Sequence, residues 1–153
     1  MKVLNFGSLN IDMVYSVDHV VRPGETIASA ELRYFCGGKG LNQSVALARA
    51  GAEVCHAGCV GADGGRLISL LRDNGVDTSL VTKSESPSGH AIIQVDRDGQ
   101  NSILLFGGAN MEITPEQIEN AVGNFSSGGR LFLQNEINDI SEIIGAAHAR
   151  GME

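Results

Sequence analysis

The stretch Cys36-Gly37-Gly38-Lys39-Gly40-Leu41-Asn42-Gln43 decides how the rest of the chain is arranged. Three glycines within four residues predict a tight turn, because glycine adopts backbone angles that other residues avoid. The apolar residues that follow recur at helical spacing: Leu41, Val45, Ala48 and Ala52. We therefore predict that the turn opens a helix whose first backbone N–H groups are bare. Such an end, where Lys39 and Asn42 add side-chain donors, favours electron-rich ligand atoms.

A strand precedes this turn and ends beside two polar residues. Val3-Leu4-Asn5-Phe6 is typical of a short buried strand, and Gly7-Ser8 ends it. Asn10 and Asp12 follow at its carboxyl end, which is the edge where parallel α/β sheets bind ligands. They share a face if the chain continues extended. Asp12 could equally cap a turn, and the glycine cluster could be no more than a strand-to-helix turn, so the residues alone leave both alternatives open.

The composition is that of one acidic globular domain. The chain has 153 residues, 42% of them hydrophobic, and a formal net charge of −7. This charge argues against nucleic acid or an anionic membrane surface as a partner. No apolar run approaches the roughly 18 residues that a membrane-spanning helix needs, and the N-terminus lacks the layout of a signal peptide. We therefore expect a cytoplasmic protein.

The three cysteines predict free thiols rather than disulfides or metal ligands. They are Cys36, Cys55 and Cys59, an odd number, and two of them lie in an apolar stretch. Buried free thiols are typical of a reducing compartment. Cys55 and Cys59 have no second pair at the spacing of a zinc site, and the four histidines are scattered singly. We expect no metal site in the chain.

Buried strands alternate with amphipathic helices along the rest of the chain. Strand patterns cover residues 54–60, 80–82 and 131–134, and helical patterns begin near residues 66, 115 and 140. Three segments are predicted to cap these helices: Asp63, Thr114-Pro115-Glu116-Gln117 and Asp139-Ile140-Ser141-Glu142. The alternation predicts an α/β fold with a parallel sheet flanked by helices.

A second set of strand patterns does not fit that sheet. One extended stretch covers residues 26–35, after the turn Pro23-Gly24. A hairpin joins residues 91–95 to residues 102–106 through Asp96-Arg97-Asp98-Gly99. Together with the extended stretch after Asp12, these strands predict a small separate sheet. Gly107-Gly108-Ala109-Asn110 ends that sheet beside the predicted site.

Three motifs resemble the signatures of one enzyme family. They are Gly7-Ser8-Leu9-Asn10-Ile11-Asp12, Pro23-Gly24-Glu25-Thr26 and Gly37-Gly38-Lys39-Gly40-x-Asn42-Gln43. In this order and spacing they resemble the ribokinase-like (PfkB) carbohydrate kinases, and the ribokinase branch in particular. The resemblance implies a Rossmann-like core, of which residues 1–153 are the N-terminal portion. It also implies a β-sheet lid, formed by residues of about 12–35 and 90–107 and often used for dimer contact.

The same resemblance implies which residues hold a sugar. It assigns substrate binding to six positions: Asn10, Asp12, Gly38, Lys39, Asn42 and Glu136. It assigns shielding of the sugar to two lid positions, Ala91 and Leu105. Glu136 is matched by strand alignment rather than by a motif. A polyhydroxylated ligand needs such a mixture of oxygen acceptors with amine, amide and backbone donors.

The machinery for phosphoryl transfer lies elsewhere in that family. The nucleotide site, the metal-linked acidic motif and the catalytic aspartate of a Gly-Ala-Gly-Asp motif all belong to its C-terminal half. The resemblance therefore implies ATP, Mg²⁺ and K⁺ as cofactors that bind outside this chain. Only Met152 and Glu153 follow the last helix, where a crossover helix should return to a parallel strand, so we expect a truncation at Glu153. No kinase turnover is expected from the chain alone.

The leading hypothesis is the substrate-binding half of an ATP-dependent sugar kinase that converts ribose to ribose 5-phosphate and forms a homodimer through its lid strands. One alternative is a stand-alone module that binds a sugar or nucleoside, or only dimerises. Another is a kinase for fructose, adenosine or a related substrate. The combination of Asn10, Asp12 and Lys39 favours ribose.

Overall fold

The main sheet of the chain is parallel and has four strands. The structure is a computed structural model that describes residues 2–153. The strands of this sheet are β1 (Lys2–Phe6), β4 (Glu53–Val60), β5 (Asp77–Lys83) and β8 (Arg130–Leu133). Their spatial order is β5-β4-β1-β8, which places β1 in the interior of the sheet with its carboxyl end between those of β4 and β8. The predicted parallel sheet is confirmed.

Helices cover both faces of the main sheet. They are α1 (Lys39–Arg49), α2 (Gly65–Asp73), α3 (Pro115–Gly123) and α4 (Ile140–Ala149). Leu41 of α1 and Leu67 and Leu71 of α2 are buried in one apolar cluster. Ile118 of α3 and Ile143 of α4 are buried in a second cluster, together with side chains of β1 and β4. Each helix buries one apolar stripe against the sheet, as its periodicity predicts.

The second sheet, here called the small sheet, also has four strands. They are β2 (Asn10–Ser16), β3 (Glu31–Gly37), β6 (Gly89–Val95) and β7 (Asn101–Phe106), in the order β3-β2-β6-β7. The β2–β3 and β6–β7 pairs are antiparallel, and β2 and β6 are parallel. The predicted hairpin and the predicted separate sheet are both confirmed.

The register of the small sheet brings four distant residues into one row. Asp12 lies opposite Phe35 on one side and Ala91 on the other, and Ala91 lies opposite Leu105. Side chains of residues directly opposite each other point to the same face of a sheet. We call the face that carries this row the site face and the other face, which carries Tyr34 among others, the outer face.

One predicted strand is shorter than its sequence pattern. The extended stretch of residues 26–35 forms a strand only from Glu31, within β3. Thr26 and Ile27 instead line a cavity of about 370 Å³ with Tyr15 and Ile92, over the outer face. These residues pack on the sheet rather than pairing within it, a tertiary preference that the local pattern does not contain.

Two of the three predicted helix caps are wrong, and one is half right. Asp63 does not cap α2; its carboxylate accepts a hydrogen bond of 2.9 Å from Ser88 N. Asp139 makes no cap hydrogen bond to α4, because it has a left-handed backbone with φ 54°. Thr114 does accept from Gln117 N, at 3.2 Å. The Gln117 side chain, however, donates to Gly58 O, and no hydrogen bond from Thr114 N to this side chain completes the capping box.

Replacing Gly40 should destabilise the fold. A Cβ at Gly40 would lie 2.4 Å from Ser8 N and 2.7 Å from the Cα of Gly7, and backbone atoms cannot move aside at little cost. We expect Gly40→Ala to lower the free energy of unfolding by about 1–3 kcal/mol through overpacking. Gly145→Ala is the matched helical control, because a Cβ there meets nothing within 4 Å. Urea denaturation of both variants measures the difference, and equal stabilities would contradict the packing argument.

Candidate functional site

The turn after β1 lies directly against the first turn of α1. Leu41 N donates to Ser8 O at 3.0 Å, and Gly40 N donates to the Ser8 hydroxyl oxygen at 3.2 Å. Gly38 adopts φ 97°, and a Cβ there would lie 2.7 Å from Ser8 O. The glycine cluster therefore has two functions: it permits a left-handed backbone and it allows the two turns to touch.

Glu136 caps the N-terminus of α1. Its carboxylate accepts from the Ser8 hydroxyl at 2.7 Å, from Lys39 N at 3.1 Å and from Lys39 Nζ at 2.9 Å. The prediction of bare N–H groups at this end is therefore wrong for Lys39, Gly40 and Leu41. The carboxylate of a distant strand end supplies the negative charge that a helix N-terminus favours.

The three contacts of Glu136 contribute different amounts of stabilising free energy. The Lys39 side chain is 72% exposed, so its ion pair contributes no more than about 1 kcal/mol. The Glu136 side chain is only 13% exposed, and hydrogen bonds to a shielded carboxylate contribute about 1.5–3 kcal/mol each. Burial opposes ionisation of Glu136, but the hydrogen bonds from Ser8 and Lys39 outweigh it and hold the pKa of this carboxyl below its usual value.

Asp12 is the free acceptor of the site. Its carboxylate lies over Gly37, where a Cβ would come within 2.1 Å of Oδ2. Burial raises the pKa of Asp12, and the nearby Glu136 carboxylate raises it further. Within residues 2–153 no hydrogen bond satisfies the Asp12 side chain. A half-buried carboxylate of this kind is open to a ligand hydroxyl.

Asn10 lies two residues before Asp12 on the site face and is almost fully buried. Its Oδ1 accepts from Asn110 Nδ2 at 2.7 Å. Asn110 itself lies in a 3₁₀ turn, Gly108–Met111, that follows β7. The sequence placed this segment beside the site but assigned it no contact. Asn110 is thus a site residue that sequence reasoning missed.

The remaining predicted residues are Ala91, Leu105 and Asn42, which lie at different distances from this polar group. Ala91 is buried next to Asp12 in the row, whereas Leu105 is 50% exposed. Since neighbouring strands lie about 4.8 Å apart, Leu105 is about 10 Å from Asp12 across the sheet. Asn42 is exposed on the first turn of α1. The structure brings Asn10, Asp12, Gly38, Lys39 and Glu136 into one polar cluster, with Ala91 and Leu105 as an apolar extension.

A buried polar chain lies beneath the site. Asn5 Nδ2 donates to Gly40 O and to the Ser44 hydroxyl oxygen, both at 2.8 Å. The Ser44 hydroxyl in turn donates to His56 Nδ1 at 2.8 Å, and His56 Nε2 donates to Gly7 O at 3.2 Å. Gly7 O can only accept, which assigns the proton to Nε2. The chain of bonds joins β1, α1 and β4 directly below the turn that carries Ser8.

His56 stays neutral in this chain of bonds. It is fully buried, and burial lowers its pKa to about 4, although the hydrogen bond to Gly7 O opposes the shift. No motif indicates this role, because His56 stands inside an apolar strand pattern. Its partners come from elements 12 to 49 residues away.

The described residues show no metal centre. No group of three or more His, Cys, Asp or Glu side chains within residues 2–153 could hold a metal ion. The three cysteines are free thiols, and burial raises the pKa of Cys55 to about 11. In the same range of residues, every helix is too short or too polar to cross a membrane.

Comparison with known proteins identifies the family. The profile described as "pfkB family carbohydrate kinase" matches residues 1–143. The chain belongs to the pfkB family of carbohydrate kinases. A ribokinase of this family from Staphylococcus aureus (strain COL) is 40% identical over 124 residues. That match covers 78% of the chain and 41% of the relative.

Two solved structures of the pfkB family share the fold. Ribokinase from Cryptococcus neoformans var. grubii serotype A, in complex with ADP, matches with a TM-score of 0.79 and 38% identity over 94% of the chain and 43% of that protein. Arabidopsis thaliana ribokinase, complexed with ribose and ATP, matches with a TM-score of 0.78 and 29% identity over 99% of the chain and 51% of that protein. The chain therefore spans about half the length of the pfkB proteins that it matches.

The neutral, buried His56 should make the fold sensitive to acid. Its folded pKa of about 4 lies below the ordinary value of 6.5, so between these values the unfolded state binds the extra proton and stability falls as the pH falls. We expect the free energy of unfolding to drop by about 2 kcal/mol between about pH 8 and about pH 5 from this group. Urea denaturation across this range measures it.

The matched variants are His56→Gln and His148→Gln, since His148 is exposed on α4. The first should flatten the pH dependence of stability, because no imidazole is left to titrate at that position. The second should leave the dependence as in the unaltered chain. Identical slopes in the two variants would contradict the assignment of a neutral buried imidazole.

Proposed function

We propose that the chain is the substrate-binding half of an ATP-dependent sugar kinase and that its substrate is ribose, phosphorylated to ribose 5-phosphate. The observation that carries this proposal is the partner-free Asp12 carboxylate beside the capped end of α1. Lys39 and Glu136 lie at that end, and Asn10 lies on the same face as Asp12. The named ribokinases among the relatives support the choice of ribose.

The chemistry of the cluster suits a polyhydroxylated ligand. Each sugar hydroxyl can donate one hydrogen bond and accept others, so a site for it needs both kinds of partner close together. Asp12 supplies acceptors, while the side chains of Lys39 and Asn42 supply donors. The apolar row of Ala91 and Leu105 supplies a surface for the carbon face of the ring. Gly38 lets the start of α1 lie against the turn at Ser8, because a Cβ there would lie 2.7 Å from Ser8 O.

Phosphoryl transfer requires parts that this proposal assigns to residues outside the chain. ATP supplies the transferred group, and Mg²⁺, with K⁺ as an additional ion, would complete the enzyme. The bound ADP and ATP of the two structural relatives support the use of ATP. Residues 2–153 offer no group of three or more His, Cys, Asp or Glu side chains for the metal. The chain alone is expected to bind without turnover.

A binding module without kinase activity is the second candidate. The observation that favours it is that the polar cluster around Ser8, Lys39 and Glu136 lies within residues 2–153, whereas no group of three metal-binding side chains is found among them. A kinase for fructose or adenosine is the third candidate. A panel of D-ribose, D-fructose and adenosine distinguishes the substrates, and a phosphoryl-transfer assay distinguishes module from enzyme.

We also propose a homodimer formed through the site face of the small sheet. Phe35, Ile103 and Leu105 are 49–57% exposed on this face and form an apolar surface of the kind that marks interaction sites. The free cysteines are consistent with a cytoplasmic location. The net charge of −7 gives no support to a nucleic-acid or anionic membrane partner.

Removing the Asp12 carboxylate should abolish most of the affinity for ribose. A half-open cleft cannot exclude water, so we expect the unaltered chain to bind D-ribose weakly. The expected dissociation constant is in the millimolar range, which corresponds to a binding free energy of about −4 kcal/mol. Asp12→Asn should weaken binding by about tenfold, because an acceptor pair is replaced by one acceptor and one donor group. Asp98→Asn, in the exposed turn between β6 and β7, is the control. Ligand-observed NMR measures both, and equal affinities would remove Asp12 from the site.

A charge on the site face should prevent dimerisation. Ile103 and Leu104 are neighbours on β7, 57% and 67% exposed, but they point to opposite faces of the small sheet. We expect Ile103→Glu to raise the dimer dissociation constant by at least tenfold, because it would bury an unpaired charge. Leu104→Glu should leave it unchanged. Sedimentation equilibrium decides, and a chain that is monomeric at high concentration would overturn the proposed dimer.

A further inference from the structure

Asn110 lies in the 3₁₀ turn that follows β7 and is hydrogen-bonded to the segment that leads into β2. Only 1% of it is exposed, and its side chain makes three hydrogen bonds to the start of β2. Leu9 N donates to Asn110 Oδ1 at 2.9 Å, and Asn110 Nδ2 donates to Leu9 O at 3.3 Å and to Asn10 Oδ1 at 2.7 Å. A residue 100 positions away in the sequence therefore holds the entry to β2.

These bonds fix the orientation of two side-chain amides in succession. A backbone N–H can only donate, so Leu9 N requires an oxygen on the side of Asn110 that faces it. The amide nitrogen of Asn110 then lies on the other side and donates to Asn10. Because a donor faces Asn10, the Asn10 side chain must turn its oxygen toward Asn110 and its NH₂ group away.

The NH₂ group of Asn10 points away from Asn110. It has no hydrogen-bond partner within residues 2–153, and among these residues the buried side-chain N or O atom without a partner is Gln134 Oε1, not Asn10 Nδ2. The unpaired Nδ2 therefore keeps a small contact with solvent, although Asn10 as a whole is only 4% exposed. Asn10 lies on the same face of β2 as Asp12, so its NH₂ group opens toward the space beside that carboxylate.

Gly89 makes room for the contact between the two asparagines. A Cβ at Gly89 would lie 2.0 Å from Asn110 Nδ2 and 2.3 Å from Asn10 Oδ1. Any larger residue at this first position of β6 would push the two amides apart. The contact therefore depends on the packing of three chain segments, which carry Asn10, Gly89 and Asn110.

We propose that Asn110 is a positioning residue that makes Asn10 a donor-only group in the sugar site. This inference rests on the proposed function and specifies its chemistry. Asn10 donates to a ligand oxygen, and Asp12, two residues along the same face, accepts from a ligand hydroxyl. The pair thus binds two oxygens of a polyhydroxylated ligand, one that accepts from Asn10 and one that donates to Asp12. Asn110 acts only through Asn10 and does not touch the ligand.

Asn110→Asp should reverse the Asn10 amide. One carboxylate oxygen still accepts from Leu9 N, but the other now accepts where Nδ2 donated. Asn10 must then turn its NH₂ group toward the new carboxylate and present its oxygen to the cleft. In the unaltered chain the Asn10 NH₂ protons should exchange quickly with water, and in the variant they should become protected. Heteronuclear NMR of the side-chain amides measures this exchange, and a pH series that extends above neutrality follows the buried aspartate into its ionised form.

Two further variants keep the test decisive. Asn120→Asp adds the same charge at an exposed position of α3 and should leave the exchange of Asn10 unchanged. Asn10→Asp presents an acceptor to the cleft while Asn110 is intact, and it serves if Asn110→Asp does not fold. Both Asn110→Asp and Asn10→Asp should raise the dissociation constant for D-ribose by about tenfold or more.

The outcomes separate this inference from the proposed function. Protected Asn10 NH₂ protons in the unaltered chain, or unchanged exchange in Asn110→Asp, would overturn the inference. So would ribose affinities within about twofold of the unaltered chain in both acceptor variants. If the unaltered chain does not bind D-ribose at all, the proposed function of the chain fails. The exchange measurement then still supports or overturns the role of Asn110.

Discussion

The contact between Glu136 and the start of α1 holds the candidate site together. One carboxylate from the end of β8 accepts from Ser8 at the end of β1 and from Lys39 at the helix start. It thereby joins the carboxyl ends of two neighbouring strands to a helix N-terminus, where its charge is most favourable. The close approach of Gly7 and Gly40 makes this contact possible. Because the Glu136 carboxylate already accepts from the start of α1, the nearby Asp12 carboxylate is left without a hydrogen-bond donor among the described residues.

Much of the fold could be predicted because its signals are local. Alternation and helical spacing indicated the parallel sheet, the four helices and the β6–β7 hairpin within a few residues of their true bounds. Errors arose where distant residues decide the outcome. The α1 donors were expected to be bare, but Glu136, almost 100 residues further along, satisfies one of them. Asp63 was predicted to cap α2, but its carboxylate instead accepts a hydrogen bond from Ser88 N in another loop.

The candidate site was predicted in part for the same reason. Motifs located Asn10, Asp12, Gly38 and Lys39, since all lie in short signature segments next to glycine turns. No motif indicated that Asn110 would bind Asn10, or that Asn5, Ser44 and His56 would form a buried chain below Gly7. A histidine or asparagine inside an apolar pattern looks like an ordinary strand residue. Its partners depend on which elements pack together, and buried polar groups are satisfied only in the assembled fold.

The attachment of the small sheet sets how far its different parts can travel. Its strands enter and leave the main domain near Asn10, Gly37, Gly89 and Phe106, all at one end. A strand of seven residues is about 20 Å long, so a rotation of about 5° about this line moves the far tip by about 2 Å. Asp12 and Ala91, only two residues beyond the line, move by less than about 1 Å. The residues of the candidate site thus lie beside the axis of such a rotation, so a displacement of the tip leaves their geometry almost unchanged.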